Sequence, residues 1–360
     1  MNLVELLDKV QHGEPLRRQD LSHLSLDGAD LRGAVFEEVR FPAEMRGVRL
    51  DESALVECEL SGCQAQKASL HLTTLYKCRL AGAAFDEGAL IGASFAECDA
   101  TGCSFAGILG QIATWVKTGL SGASFVGANL DRANVLESAA EGARFVRANL
   151  EKATLYRADL RTADLEMANL SLTTLVEAML GAKSFRSNKL FRTQLMKAEL
   201  SGSSFAETEL YECNFMAADL REASFEGARA PRCFFGEADL SKARFDRAAL
   251  DNGNFDKARL VEAVLSGANL REAYLGDAVL AGARLVEACL READLSRADL
   301  SGADLSGADL FRARLHRTKR EGAVLPKVPV WLGDDEELAA AETWAPRHGA
   351  ARSAGHAGAE

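Results

Sequence analysis

Large apolar residues return at every fifth position along most of this chain. In the stretch from 293 to 310, Leu295, Leu300, Leu305 and Leu310 each follow an alanine by two residues. Neither regular element suits that spacing. On an α-helix, residues five apart rotate by about 140° per step and scatter around the axis. On a flat strand they alternate between faces. A short extended piece followed by a turn, repeated every five residues, does bring them together. In that arrangement the large residue i and the small residue i−2 face inward, while i−1, i+1 and i+2 face out. Four such sides close a square coil of 20 residues, and coils stack as solenoid repeats do.

Counted in steps of five from Leu50 to Leu315, Leu or Phe occupies the stops except at Ala65, Ala100, Gly110, Trp115, Val135, Ala140 and Ala230. An earlier run, Leu21, Leu26, Leu31, Phe36 and Phe41, keeps the period in another phase. The slip falls at 42–49, which contains Pro42, and reads as a bulge or reset turn. Residues 106–119 place Gly110 and Trp115 where Leu or Phe belongs. Either this stretch leaves the coil as a loop, with Trp115 available to a partner, or it holds irregular repeats that the coil tolerates. Lys183 and Asn188 fall at the inward i−2 slot, where an unpaired lysine is expensive. The coil is expected to distort there.

The motifs Ala158-Asp159-Leu160, Ala168-Asn169-Leu170, Ala268-Asn269-Leu270 and Ala303-Asp304-Leu305 resemble the A-[D/N]-L-x-x signature of the pentapeptide-repeat family. The resemblance covers roughly residues 20–325. It implies an all-β fold, a right-handed quadrilateral β-helix with short capping helices at its ends. About thirteen coils from residue 50 onward, at about 4.8 Å each, make a rod of roughly 65 Å. Residues 1–19 are read as a capping helix and turn, with Leu3, Leu6, Leu7 and Val10 on one face of the helix. Residues 326–346 form a C-terminal segment in which Asp334 N-caps a short helix through Ala345. Trp331 and Trp344 then cover the last coil or meet a second subunit, giving a route to a homodimer. Residues 347–360 are small and polar and are expected to be disordered.

Composition adds limits. The formal net charge is −11, and no window is apolar enough for a membrane span. The opening residues lack the shape of a secretory signal, so a cytoplasmic location is expected. Of the eight cysteines, Cys58, Cys63, Cys78, Cys98, Cys103, Cys213 and Cys233 fall at i−2, and Cys289 does not. Those 20 apart stack within disulfide reach, but small thiols standing in for alanine are the simpler reading. There is no C-x-x-C pair, no cluster of histidines, and no G-x-S-x-G, G-x-G-x-x-G, Walker or H-E-x-x-H motif. The abundant Asp at i−1 belongs to the repeat. No catalytic residues, cofactor or metal are expected, and the chain reads as a non-enzyme.

The outside of the rod carries more information. Residues 20 apart form ladders, and the i+1 ladder Tyr156, Val176, Met196 and Met216 is apolar, with Leu172, Phe191 and Tyr211 on the neighbouring face. This stripe is either a protein-binding surface or scattered surface apolars. The opening Leu3–Ala34 resembles the lead-in of pentapeptide-repeat proteins associated with bacterial type VI secretion. That implies a scaffold or adaptor whose partners are secretion-system components. The family also includes DNA mimics that protect type II topoisomerases (gyrase, topoisomerase IV) from inhibitors, which is the alternative, and host-cell effectors, a third option. Charge fits the mimic unevenly, since residues 50–119 are acidic while 221–320 are nearly neutral. The acidic balance and lack of a basic run argue against direct nucleic-acid binding.

Overall fold

In the computed structural model, which describes residues 1–327 and 330–343, the chain winds into a parallel β-solenoid. Helix α1 (Leu3–Gln11) leads into strand β1 (Leu16–Arg17), followed by β2 (Val35–Glu37), β3 (Ala54–Val56), β4 (Thr74–Tyr76), β5 (Ser94–Ala96), β6 (Thr114–Val116) and β7 (Asn134–Leu136). These strands lie side by side in chain order, every pair parallel. The other sides, and most sides after β7, are joined by single parallel bridges such as Asp159↔Met179 and Asp239↔Arg259. The last bridge, Arg314↔Leu332, leaves roughly sixteen coils between Leu16 and Leu332.

The five-residue period has a local cause. In most repeats outside the β-strand side the amide of i+3 donates to the carbonyl of i, as Ser53 does to Leu50 at 3.1 Å. The i+2 residue between them takes a left-handed φ, 69° at Gly62 and 59° at Glu52. Non-glycine residues cost roughly 1–2 kcal/mol in that region. Many are long and charged, and they pair with the equivalent corner one coil on: Arg157 with Glu177 at 2.7 Å and Arg192 with Glu212 at 2.6 Å.

Inside, Leu and Phe at i and a small residue at i−2 fill the core with almost no exposure. Phenylalanines stack coil on coil, as in Phe125–Phe145 at 4.9 Å and Phe205–Phe225 at 4.9 Å. Several of the Ser, Thr and Cys side chains at i−2 donate to a carbonyl of the coil before. Thr73 donates to Leu50 (2.6 Å), Thr173 to Leu150 (2.7 Å), and the Cys78 thiol to Leu55 (3.4 Å). The i−2 cysteines are buried free thiols, and Cys289 is half-buried. Burial pushes the thiols of Cys63 and Cys103 up to about 12.

Two irregularities resolve simply. Between Phe41 and Leu50 one side is a residue short, and Met45, fully buried, takes the core position. The register between β2 and β3 is accordingly 19 residues, Val35↔Ala54, where β3 and β4 pair at 20. Of the two readings of 106–119, the loop is corrected and the tolerated irregular repeats hold, because the coil continues through it as β6. Gly110 leaves room that Ile108, fully buried at i−2, fills. A Cβ on Gly110 would lie 3.0 Å from Ile108 Cδ1 and 3.0 Å from Leu130 Cδ2. Trp115 is likewise corrected as a contact residue. It has no exposed surface, stacks on Phe95 at 5.5 Å, and meets Phe105 and Phe125 edge-on.

Both described ends are covered. Asn2 caps α1 with a reciprocal capping box, its Oδ1 accepting from the Glu5 amide at 2.9 Å. Leu6 is buried in the first coils, with Leu7 and Val10 partly so, while Leu3 is exposed. At the other end Trp331 packs on the core and Leu332 extends the ladder. Helix α2 (Glu336–Thr343) is capped by Asp335, whose Oδ1 accepts from the Leu338 amide, rather than by Asp334, which accepts from the Arg317 amide. The expectations for Trp344, for Ala345 and for 347–360 lie outside the described residues. Polar contacts hold α2. Buried His316 accepts the Asp335 amide at Nδ1 (3.1 Å), which leaves its Nε2–H to donate to Glu342 (3.3 Å), while Arg297 and Arg317 pair with the same carboxylate.

Two tests follow from this packing. Trp115→Ala should cost about 3–5 kcal/mol in denaturant unfolding. Trp115→Phe should cost far less, because it continues the aromatic stack and removes a buried indole N–H that has no acceptor. For α2, burial pulls the Glu342 carboxyl upward, but hydrogen bonds from His316 and Arg297 and the Arg317 charge hold it below its usual range. Its contribution is therefore complete above the ordinary carboxylate pKa of about 4.3 and is lost as pH falls below that. Limited proteolysis should find α2 protected at neutral pH and cleaved at about pH 3, with Glu342→Gln cleaved more readily at neutral pH.

Candidate functional site

The side of the rod that carries β1–β7 differs from the other three. Its strands bury the central residue and leave both neighbours partly exposed, as Ala54, Leu55 and Val56 do. On this side the i+1 ladder reads Val56, Tyr76, Ala96, Val116, Leu136, Tyr156, Val176, Met196 and Met216. The i−1 ladder beside it reads Ala54, Thr74, Ser94, Thr114, Asn134, Thr154, Thr174, Gln194 and Asn214. Through these nine coils neither ladder holds a charge; the next coil, with Phe234 and Gly236, is uncharged as well, and the run is bounded by Glu37 before it and Asp256 after it. At about 4.8 Å per coil the stretch from Val56 to Met216 is roughly 38 Å long. By contrast, the next side carries Glu59, Arg79, Asp99, Asp159 and Arg161, several in ion pairs.

Tyr156, Val176, Met196 and Met216 fall in this strip, but they are only its second half. The first half, from Val56 to Leu136, was missed because Ala96 and the mixed shapes of Val, Tyr and Leu hide the ladder until residues are aligned 20 apart. Leu172, Phe191 and Tyr211 sit at and beside one long corner of the strip. Phe191 and Met216 are 44% and 43% exposed, and Leu172 and Tyr211 are half-buried. Phe234, 50% exposed, joins them where the i−1 ladder turns from polar to aromatic. The doubled aromatic at Phe234-Phe235 was the signal for it. A groove of about 470 Å³ runs between Leu172, Arg192, Gln194, Glu212, Arg232 and Phe234. Arginines lie over the rings here: Arg192 over Phe191 at 5.2 Å and Arg229 over Tyr211 at 5.8 Å.

On a different side, Lys183 and Asn188 open the coil. Lys183 Nζ donates to the carbonyls of Ala163 (2.5 Å) and Arg161 (3.0 Å), and Asn188 Nδ2 donates to Leu165 (2.6 Å) and Ala168 (3.1 Å). Regular bridges pair Arg144 with Asp164 and Ser184 with Ser204, but none joins Asp164 to Ser184. A notch of about 530 Å³ opens there. Burial lowers the pKa of the Lys183 ammonium, with the Asp164 charge opposing it. No group of three or more His, Cys, Asp or Glu with metal-binding geometry occurs among the described residues.

A stiff solenoid with outward ladders and a core closed to solvent defines a class of protein that works through its surface. The family model for pentapeptide repeats matches eight copies, over residues 43–82, 141–176, 193–229, 218–256, 258–297 and 288–325. The chain belongs to the pentapeptide-repeat family, whose members are generally structural or binding proteins. Among solved structures it is similar to a trypsin-treated form of QnrB1, a plasmid-mediated fluoroquinolone resistance protein, at 21% identity over 52% of this chain and 88% of that one, TM-score 0.35. It is also similar to HetL of Nostoc sp. strain PCC 7120, a pentapeptide repeat protein involved in heterocyst differentiation regulation, at 23% identity over 91% and 98%, TM-score 0.20. A third, Rfr23 of the cyanobacterium Cyanothece 51142, shares 26% identity over 35% and 91%, TM-score 0.20. Among the curated proteins none matches.

The notch yields its own test. A lysine whose folded-state pKa lies below its unfolded value weakens folding at neutral pH, and the loss is relieved only as the ammonium deprotonates. Lys183→Ala restores the usual i−2 residue and lets Asp164 and Ser184 close their bridge. Calorimetry should find the variant more stable, by on the order of 1 kcal/mol.

Proposed function

We propose that this chain is a non-catalytic cytoplasmic scaffold that binds a protein partner at the corner formed by Phe191, Tyr211, Met216 and Phe234. The observation that carries this reading is the clustering of exposed aromatic and Met side chains around one groove. Such residues are favoured at the centre of contact surfaces. Arg192, Glu212 and Arg232 supply a polar rim of the kind that surrounds contact centres. Among the described residues no helix is long and apolar enough to cross a membrane.

The more specific reading, an accessory factor for assembly or cargo loading in type VI secretion, rests on the opening residues 3–34 alone. Topoisomerase protection by DNA mimicry is the alternative, and it calls for a rod whose acidic groups are open to a basic channel. Here Arg161 sits on Asp159, Arg221 on Asp219 and Arg79 on Glu59, each at 2.6 Å, so much of the surface is locally neutral.

Affinity capture from lysate, with the bound proteins identified by mass spectrometry, separates the readings. Wild type is run beside a Phe191→Ser, Tyr211→Ser, Phe234→Ser variant whose circular dichroism matches it. Secretion-machine components held by wild type alone support the adaptor. Gyrase or topoisomerase IV held equally by both, and released by moderate salt, overturns it in favour of the mimic.

A further inference from the structure

One edge of the uncharged strip carries a second pattern. The i+2 corner residues beside it alternate in sign over eight consecutive coils, from Glu57 to Lys197. Within the chain they pair in twos: Lys77 with Glu97 at 3.9 Å, Lys117 with Glu137 at 3.9 Å, and Arg157 with Glu177 at 2.7 Å. The two ends, Glu57 and Lys197, have no ion pair among the described residues. Intrachain pairing accounts for the alternation. It does not account for the absence of charge across the strip itself, or for ends of opposite sign left without partners.

We propose that this side of the rod is covered by a second copy of the same chain, packed face to face and antiparallel about a two-fold axis that crosses the strip between Val116 and Leu136. A two-fold interface makes each residue meet its mirror position along the ladder. An alternating row with an even number of members then presents opposite charge at every rung. Glu57 faces Lys197, Lys77 faces Glu177, Glu97 faces Arg157, and Lys117 faces Glu137. The two unpaired ends thus become partners. A parallel arrangement, or one shifted by a single coil, loses this match.

The other residues agree with the same axis. Across the strip the large Tyr156 meets the small Ala96, Tyr76 meets Val176, and Val116 meets Leu136. Along the opposite edge exposed Leu72 meets Leu172, and Glu52 meets Arg192, so no like charges oppose one another there either. The strands of both copies run along the axis direction, as in aligned sheet packing at about 10 Å separation. A strip roughly 34 Å long and about 20 Å wide offers on the order of 700 Å² per copy, close to the ~800 Å² per partner of a standard stable interface. Phe191 and Tyr211 lie on the neighbouring side of the rod, whereas Leu172 and Arg192 belong both to this interface and to the corner groove, so the pair covers part of that groove.

The test is sedimentation equilibrium on the full chain, whose monomer mass is 38.6 kDa. Wild type should sediment at twice that mass, and Leu136→Asp, which sets carboxylates against each other near the axis, as a monomer. Glu57→Lys should weaken dimerisation about tenfold or more, since the contact occurs twice in the pair. Adding Lys197→Glu to it should restore the wild-type constant. Those residues are seven coils apart in one chain, so only contact between copies couples them. A Phe191→Ser, Tyr211→Ser variant, changed only on the neighbouring side, should remain dimeric. The proposal is overturned if wild type stays monomeric at about 100 μM. It is equally overturned by a dimer indifferent to Leu136→Asp, as one formed through the C-terminal segment would be, or by a double reversal that restores nothing.

Discussion

The spacing between coils governs this protein. Adjacent coils sit one β-ladder apart, about 4.8 Å, and backbone hydrogen bonds such as Leu155 N to Thr174 O at 2.7 Å fix that distance on each side. An inward side chain therefore has the height of one coil and no more. Leu and Phe meet the limit by lying flat and stacking. The i−2 position, next to the turn, holds mostly Ala, with other small residues, several of whose polar atoms reach a carbonyl one coil back. Thr73, Thr173 and Cys78 satisfy the rule in the same way.

The exceptions obey it too. Ile108 is too large for an i−2 slot, and Gly110 gives up the neighbouring volume so that the coil stays closed. Trp115 fits because it lies parallel to Phe95. Lys183 and Asn188 are neither small nor matched by a compensating glycine. Their polar ends take up carbonyls of the coil below, and the ladder beside Lys183 parts between Asp164 and Ser184.

The outer surface follows from the same spacing. Side chains 20 residues apart are nearest neighbours, so charge at one corner is answered one coil away, as Arg157 is by Glu177 and Arg192 by Glu212. The side carrying β1–β7 departs from this rule, since its two outward ladders are uncharged for nine coils. That contrast, more than any single exposed residue, separates a contact surface from a solvated one.

Much of this was legible in the sequence. A five-residue period determines where each side chain points, so the core, the inward cysteines and the register were readable from the positions of Leu, Phe and Ala. The difficulty at Lys183 and Asn188 was readable as well, because the period places them where a lysine or an amide does not fit. Other features depended on packing between coils. Whether Trp115 lay inside or outside turned on the rings above and below it, which sequence spacing does not report. The short side at Met45 was a slip of phase in the sequence, and only the core showed which residue fills it. The cap of α2 went to Asp335 rather than Asp334 because the Asp335 amide meets His316, a contact across 19 residues. The full length of the uncharged strip likewise emerged only with the coils stacked, because its residues are neighbours in space at intervals of 20 and in no shorter window of the chain.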